Sequence, residues 1–302
     1  MATVALLPQA CFDPAQTSMN SAANPGFGPM SLDDIPAGLD LCRAAGWNQT
    51  ARDWTQFLTA TPDGARTARV DRRVVGTAAT IRYGRAFAWI GMVLVDPAMR
   101  GHGIGTRLLD EAMALVADMP SVRLDATPAG FPLYLKRGFV EEYRLHRMLR
   151  AGSVLRNPGD SRMRPLLAAD ISVIATFDAA AFGADRTGML RWMFDGTPDL
   201  AWYAGKQDNL EGFVLGRRGH LFDHIGPVVA RDVAVAQALT RAALGATSRA
   251  VVIDATLHVP AWREWLHSIG FRQHRELIRM SRGTPPTAEV ERQFAILGPE
   301  FG

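Results

Sequence analysis

Residues Val93-Leu94-Val95-Asp96-Pro97-Ala98-Met99-Arg100-Gly101-His102-Gly103-Ile104-Gly105-Thr106 lead from an apolar run through a turn into a loop with three glycines at alternate positions. Where a strand feeds such a loop at the start of a helix, unpaired backbone N–H groups and the helix dipole make a seat for an anion, phosphate above all. The glycines let the main chain approach that anion closely. Three phosphate chemistries compete for the loop, and spacing separates them. A P-loop needs four residues between its glycines and then Gly-Lys-Ser/Thr, a run that does not occur in this sequence. A dinucleotide fingerprint, G-x-G-x-x-G, sets its first glycine almost directly after the strand, whereas Asp96 to Arg100 intervene here. Asp125, about twenty residues past Gly105, mimics the ribose-binding acid of that fingerprint and keeps a dinucleotide-binding oxidoreductase as a rival reading.

The third reading fits every specified position. Arg100-Gly101-His102-Gly103-Ile104-Gly105 resembles the R/Q-x-x-G-x-G/A loop of GCN5-related N-acetyltransferases, the GNAT superfamily. Leu133-Tyr134-Leu135-Lys136-Arg137-Gly138-Phe139 is similar to that family's second motif, with its tyrosine four residues before Gly-Phe. The resemblance implies an acyl-CoA-dependent N-acyltransferase that moves acetyl from acetyl-CoA, as co-substrate, to a primary amine by direct attack on the thioester, without a metal. It implies pyrophosphate contacts from Arg100, Gly101, His102, Gly103, Ile104, Gly105 and Thr106, made mostly by backbone amides, with the His102 side chain in solvent. Val93, Leu94 and Val95 are expected along the pantetheine arm, on a splayed edge whose free N–H polarises the thioester carbonyl. Tyr134 is implied as the acid that protonates the departing thiolate.

The general base is not implied in the same way. Many relatives carry a glutamate on the strand before the loop, and the corresponding residue here is Trp89. A water relay, a carboxylate from elsewhere, or capture of an already neutral amine then has to serve. Asp53, Asp125 and Asp254 are the candidate carboxylates, unranked. Trp47, Asn48, Asp53 and Trp54, with Asp125 and Asp254, are expected to line the acceptor pocket, where aromatic faces and acids suit a cationic amine, small molecule or peptide. The missing strand glutamate keeps a non-catalytic acyl-CoA sensor or interaction protein as the alternative from another class.

The elements that hold these residues follow from hydrophobic period and turn residues. Ser31 and Thr50 are expected to cap two helices, the first running through Cys42 to Gly46 and the second through Trp54 and Leu58. Three strands are expected over 67–71, 74–83 and 86–95, then a helix opening at Gly103 with Leu108, Leu109, Ala112, Leu115 and Val116 on its buried side. A strand over 122–126, a short helix over 131–137 and closing strands over 139–149 complete the unit.

Much of this order occurs twice. Ile90-Gly91-Met92 is echoed by Ile225-Gly226-Pro227, Leu124-Asp125-Ala126-Thr127 by Ile253-Asp254-Ala255-Thr256, Gly138-Phe139 by Gly270-Phe271, and Arg147-Met148 by Arg279-Met280. The second copy lacks both the glycine loop and the tyrosine, whose place is taken by Leu266. It resembles the degenerate second domain of a bacterial tandem subgroup of the family. The fold expected is therefore α/β (α+β): two tandem GNAT-like domains, each a mixed, largely antiparallel sheet flanked by helices. The divisions expected are a poorly ordered lead-in over 1–27, a catalytic domain over 28–150, a linker over 151–161, a degenerate domain over 162–282 and a tail over 283–302.

Composition agrees with two soluble domains in 302 residues: 48% apolar, 21% charged, and no run near the ~18 apolar residues of a membrane span. The formal charge of +3 is spread through the chain, so solvated faces are expected in place of a nucleic-acid or membrane surface. No basic residue precedes the short apolar patch at the N-terminus, and the expected location is the cytoplasm. Two cysteines, Cys11 and Cys42, are too few for a disulfide framework or a metal cluster.

Overall fold

The computed structural model describes residues 24–155, 162–206 and 209–302, so most of the expected lead-in, Cys11 and part of the expected linker lie outside the described residues. The first half runs β1 (Gly26–Pro29), α1 (Ile35–Ala44), α2 (Ala51–Ala60), β2 (Ala65–Val70), β3 (Arg73–Tyr83), β4 (Phe87–Val95), α3 (Ile104–Leu115), β5 (Ser121–Ala126), α4 (Phe131–Leu135) and β6 (Val140–Arg150). The second half repeats that order as β7 (Met163–Pro165), α5 (Ile171–Phe182), α6 (Thr187–Gly196), β8 (Trp202–Lys206), β9 (Asn209–Arg218), β10 (Asp223–Ala230), α7 (Val233–Gly245), β11 (Val251–Thr256), α8 (Pro260–Ser268) and β12 (Arg272–Gly283), then adds β13 (Gln293–Ala295). The helix starts at Ser31 and Thr50 are present as reciprocal caps. Asp34 accepts from the Ser31 amide at 2.9 Å, and Asp53 Oδ2 accepts from the Thr50 amide at 2.6 Å and its hydroxyl at 2.7 Å.

All the described strands join one sheet in the order β1-β2-β3-β4-β5-β12-β6-β11-β13-β10-β9-β8-β7. The two halves exchange their long closing strands. β12, from the second half, pairs with β5, while β6, from the first, pairs with β11; β6 and β12 run antiparallel through the middle. The sheet is antiparallel except for β4 with β5 and β10 with β11, which each share only two parallel residue pairs before parting.

The exchange builds two equivalent Arg–Asp pairs, each joining one half to the other. Arg147 lies opposite Asp254 and donates both bonds of a fork, each 2.7 Å. Arg279 lies opposite Asp125 and does the same at 2.7 and 2.9 Å. All four side chains are almost fully buried. Burial alone would raise the Asp254 pKa, but the charge of Arg147 and its two hydrogen bonds outweigh that and hold the carboxyl well below the usual carboxylate range.

Helices α3 and α4 cover the first half of one sheet face over Leu108, Leu109, Phe139 and Met280, and α7 and α8 cover the second over Leu239, Trp262 and Phe271. The third core is shared: Trp54, Phe57 and Trp89 of the first half pack with Phe182, Leu190, Phe213 and Phe301 of the second. Cys42 is buried there, its thiol pushed up to about 12 by that burial.

Two sequence expectations are corrected. Among the described residues the first element is β1, ahead of Gly28, because Gly26–Pro29 adds an edge strand to β2. Residues 283–302 are no tail. β13 enters the sheet between β11 and β10, and Phe301 is fully buried, stacked on Phe57 at 4.7 Å. Their length gave no periodic signal, and their apolar residues are satisfied only by contacts distant in sequence.

Replacing Asp254 by Asn strands the Arg147 charge in the sheet, and urea unfolding is expected to show a loss of about 3–5 kcal/mol. Glu111→Gln, which breaks the exposed 3.2 Å pair with Arg107, is expected to cost under about 1 kcal/mol. Because the folded pKa of Asp254 is depressed, its contribution is present above the unfolded value of about 3.9 and lost as pH falls below it. The gap between wild type and Asp254→Asn therefore narrows in acid.

Candidate active site

A cleft of about 890 Å3 opens where β4 and β5 part. Their two shared pairs end at Trp89, so from Ile90 onward the β4 edge facing β5 has no strand partner. The strand is also bent at this point: the β3–β4 register shifts beside Met92, which takes a positive φ of 55°. Thr77 Oγ1 donates to the Met92 carbonyl at 2.9 Å and holds the bend. A non-glycine residue in this region costs on the order of 1–3 kcal/mol and persists only where its surroundings hold it.

Past β4 the chain turns on Asp96, whose side chain accepts from the Ala98 amide at 2.9 Å and pairs with Arg73 at 2.8 Å. Gly101 and Gly103 then adopt φ of 81° and 77°, which side chains other than glycine rarely tolerate. Gly103 caps α3, leaving the first-turn amides of the helix open to the cleft. Arg100 Nε donates to the Val95 carbonyl at 3.2 Å and ties loop to strand. Of the residues expected to meet a coenzyme, Val93, Leu94, Val95, Arg100, Gly101, Gly103, Ile104, Gly105 and Thr106 all line the cleft. His102 is exposed, outside the lining, with its ring 2.9 Å from the Arg100 carbonyl.

Tyr134 stands on the opposite wall, on α4, edge-on to Phe139 at 6.0 Å between centroids. Among the described residues its hydroxyl has no hydrogen-bond partner. Burial pushes its pKa up to about 12, so the phenol keeps its proton throughout the physiological range, as a proton donor must.

The residues expected around an acceptor divide. Trp47 and Asp125 line the cleft, but Asp125 has both oxygens committed to Arg279. Asn48 does not reach it: its side chain accepts from the Leu221 and Phe222 amides and donates to the Phe222 carbonyl, fixing the turn between β9 and β10. Trp54 is fully buried in the shared core, and Asp254 is spent on Arg147. Asp53 sits behind the wall, with Oδ2 capping α2 and Oδ1 accepting from Arg217 at 2.5 Å. Residues that sequence reasoning missed also line the cleft, among them Gln49, Arg147, Arg275, Leu277, Pro299 and Glu300. Trp89 is buried, its Nε1 donating to the Pro299 carbonyl at 3.1 Å. The segment 296–302 reaches the cleft past Gly91, where a Cβ would collide with the Glu300 carbonyl.

The second half has the same parting between β10 and β11, but it is filled. β13 pairs with both strands inside it, and a Cβ on Gly226, the counterpart of Gly91, would collide with the Ile296 carbonyl. The helix start is also occupied. Asp232 caps α7 by accepting from the Val235 amide at 3.0 Å, and that hydrogen bond holds its carboxyl below the usual range, an anion where a phosphate would have to sit.

The parted sheet, the glycine-turned helix N-terminus at one end and the protonated tyrosine across from it share one cleft. The chain belongs to the GNAT superfamily, with two such domains in tandem. Family models described as acetyltransferase (GNAT) domain match residues 63–141 and 174–295, together about two thirds of the chain. Over 276 residues the chain is 27% identical to the holothin acyltransferase of Pseudoalteromonas sp. (strain SANK 73390), covering 91% of this chain and 93% of that protein. It is also 27% identical over 214 residues to an uncharacterised N-acetyltransferase of Bacillus subtilis (strain 168), covering 68% of this chain and 74% of that one. Among solved structures, a putative acetyltransferase from Pyrococcus horikoshii superposes with a TM-score of 0.78 at 23% identity, over 95% of this chain and 98% of that one. A tandem GNAT protein from the clavulanic acid biosynthesis pathway gives 0.62 at 14%, over 87% and 99%. No helix among the described residues is long and apolar enough to cross a membrane.

Spectrophotometric titration of wild type against Tyr134→Phe is expected to show no tyrosinate from this residue through pH 10, the ordinary midpoint. A difference signal centred near pH 10 would mean that the hydroxyl is not held in its protonated form by burial.

Proposed function

We propose that the first half transfers an acyl group, acetyl in the simplest case, from CoA to a primary amine held where the two halves meet. The observation that carries this reading is the continuity of one cleft from the α3 amides, along the unpaired edge of β4, to Tyr134 and on to buried charged groups contributed by both halves. Coenzyme pyrophosphate lies on the amides of 101–106, with Arg100 beside it. The pantetheine amides complete the β4 edge over Val93–Val95 as a third strand would. A β4 N–H near the bend polarises the thioester carbonyl and stabilises the oxyanion as the amine attacks. The C–S bond then breaks, and Tyr134 gives its proton to the thiolate. A relative named as an acyltransferase over nearly the full chain length supports acyl transfer as the reaction class. The second half supplies one wall of the acceptor site and binds no coenzyme of its own.

Thiol release from acetyl-CoA across small amines, amino acids, polyamines and peptides tests the reaction; failure of every acceptor in the panel to release thiol would sink it in favour of an acyl-CoA sensor. With a working acceptor, Tyr134→Phe is expected to bind CoA normally by calorimetry and to lose about 10²–10⁴ in kcat. Unchanged turnover would remove Tyr134 from the mechanism. Gly103→Ala, which forces a side chain into a left-handed backbone, is expected to weaken CoA by about 1–2 kcal/mol, roughly tenfold.

A further inference from the structure

Resting on the acyl-transfer reading, we infer that Glu300 receives the acceptor's ammonium and takes its proton, with Gln49 holding the same group. Four buried carboxylates stand near the far end of the cleft, and three have both oxygens already engaged by donors. Asp125 is forked by Arg279, Asp254 is forked by Arg147, and Asp53 divides its oxygens between the α2 cap and Arg217. Glu300 differs. It lines the cleft at 2% exposure, its Oε1 accepts from Arg217, and its Oε2 has no hydrogen-bond donor. The three groups Asp53, Arg217 and Glu300 carry one more negative than positive charge, with Arg52 acting on Asp53 and Arg275 lining the same cleft.

A second orphan acceptor lines the same cleft. Gln49 is 3% exposed, and its Oε1 also lacks a donor. An unpartnered buried acceptor costs about 1–3 kcal/mol, so two of them in one cleft call for a ligand rich in donors. A primary ammonium brings three N–H bonds and a positive charge.

Each proton has a donor and an acceptor. The ammonium gives one proton to the Glu300 carboxylate, directly or through one water, and the freed lone pair attacks the thioester carbon. As the tetrahedral adduct collapses, the C–S bond breaks, the thiolate takes the Tyr134 proton, and the second proton from nitrogen restores Tyr134. The products are the amide, CoA thiol and one proton, released from Glu300 to solvent.

Glu300→Gln tests this, because the amide keeps an oxygen for Arg217 while losing charge and basicity. The variant is expected to bind CoA within about twofold of wild type and to lose about 10²–10⁴ in kcat/KM on alkyl amines. With aminooxy or other weakly basic acceptors, already neutral at the assay pH, the loss is expected to shrink by at least tenfold. Activity within threefold of wild type, or an equal loss on both acceptor classes, would overturn the role. If Glu300→Gln fails to fold, Gln49→Ala carries the test: a rise of about tenfold in amine KM with little change in kcat is expected, and an unchanged KM overturns the seat. Should the wild type acylate no amine, the acyl-transfer reading fails by that result alone. Glu300 is then judged by calorimetric binding of amines to the CoA-loaded protein, where weaker binding by Glu300→Gln upholds the seat and equal binding, or none to either protein, overturns it.

Discussion

The exchange of β6 and β12, locked by the two buried Arg–Asp forks, is the constraint on which the rest of the molecule depends. A guanidinium and a carboxylate taken out of water lose several kcal/mol of hydration each, and only close, bidentate geometry offsets that loss. Arg147 and Asp254, and Arg279 and Asp125, meet that requirement at one register of the central strands. A slip of one residue would turn each charge to the other face and leave it unpaired in an apolar core. The forks thus fix the two halves in one sheet, and with it the shared core of Trp54, Phe182 and Phe301 and the wall that Arg147, Arg275 and Leu277 give to the first half's cleft.

The same topology, used twice, yields one open cleft and one closed one, and the difference lies in a few residues. Gly101 and Gly103 bare a helix start that Asp232 covers in the other copy. Tyr134 is matched by Leu266, and Met92, with an N–H to offer, by Pro227, which has none. The segment after β12 makes the asymmetry complete. As β13 it takes the place between β10 and β11 that a pantetheine arm is proposed to take between β4 and β5, and it then runs on to bring Pro299 and Glu300 to the working cleft.

Features set by local chemistry were legible in the sequence. The caps at Ser31 and Thr50, the strands around Val74 and Phe87, the glycine turn into α3 and the short helix bearing Tyr134 all stand within a residue or two of where period and turn residues put them. The internal repeat was legible too, down to the Asp125 and Arg279 positions that the structure pairs across the two copies. Its consequence was not, because nothing in the repeat says whether a closing strand returns to its own sheet or crosses to the other. Gln293–Leu297 carried a weak signal, five largely apolar residues after a Pro-containing stretch, too short to be told from a tail. Glu300 carried none, since its surroundings depend on Arg217 and Gly91, which meet it from two places distant in sequence. Asn48 and Trp54 failed as pocket residues for the opposite reason: their types suit a binding site, but a turn and a core claimed them first.

The measurement that bears most directly on this division of labour is a crystal structure of the protein with CoA bound. The account predicts one CoA per chain, its pyrophosphate on the amides of 101–106, its pantetheine against Val93–Val95 and its sulfur within hydrogen-bond reach of the Tyr134 hydroxyl, with β13 still seated between β10 and β11. CoA found between β10 and β11 with β13 displaced, or bound away from the glycine loop, would contradict it.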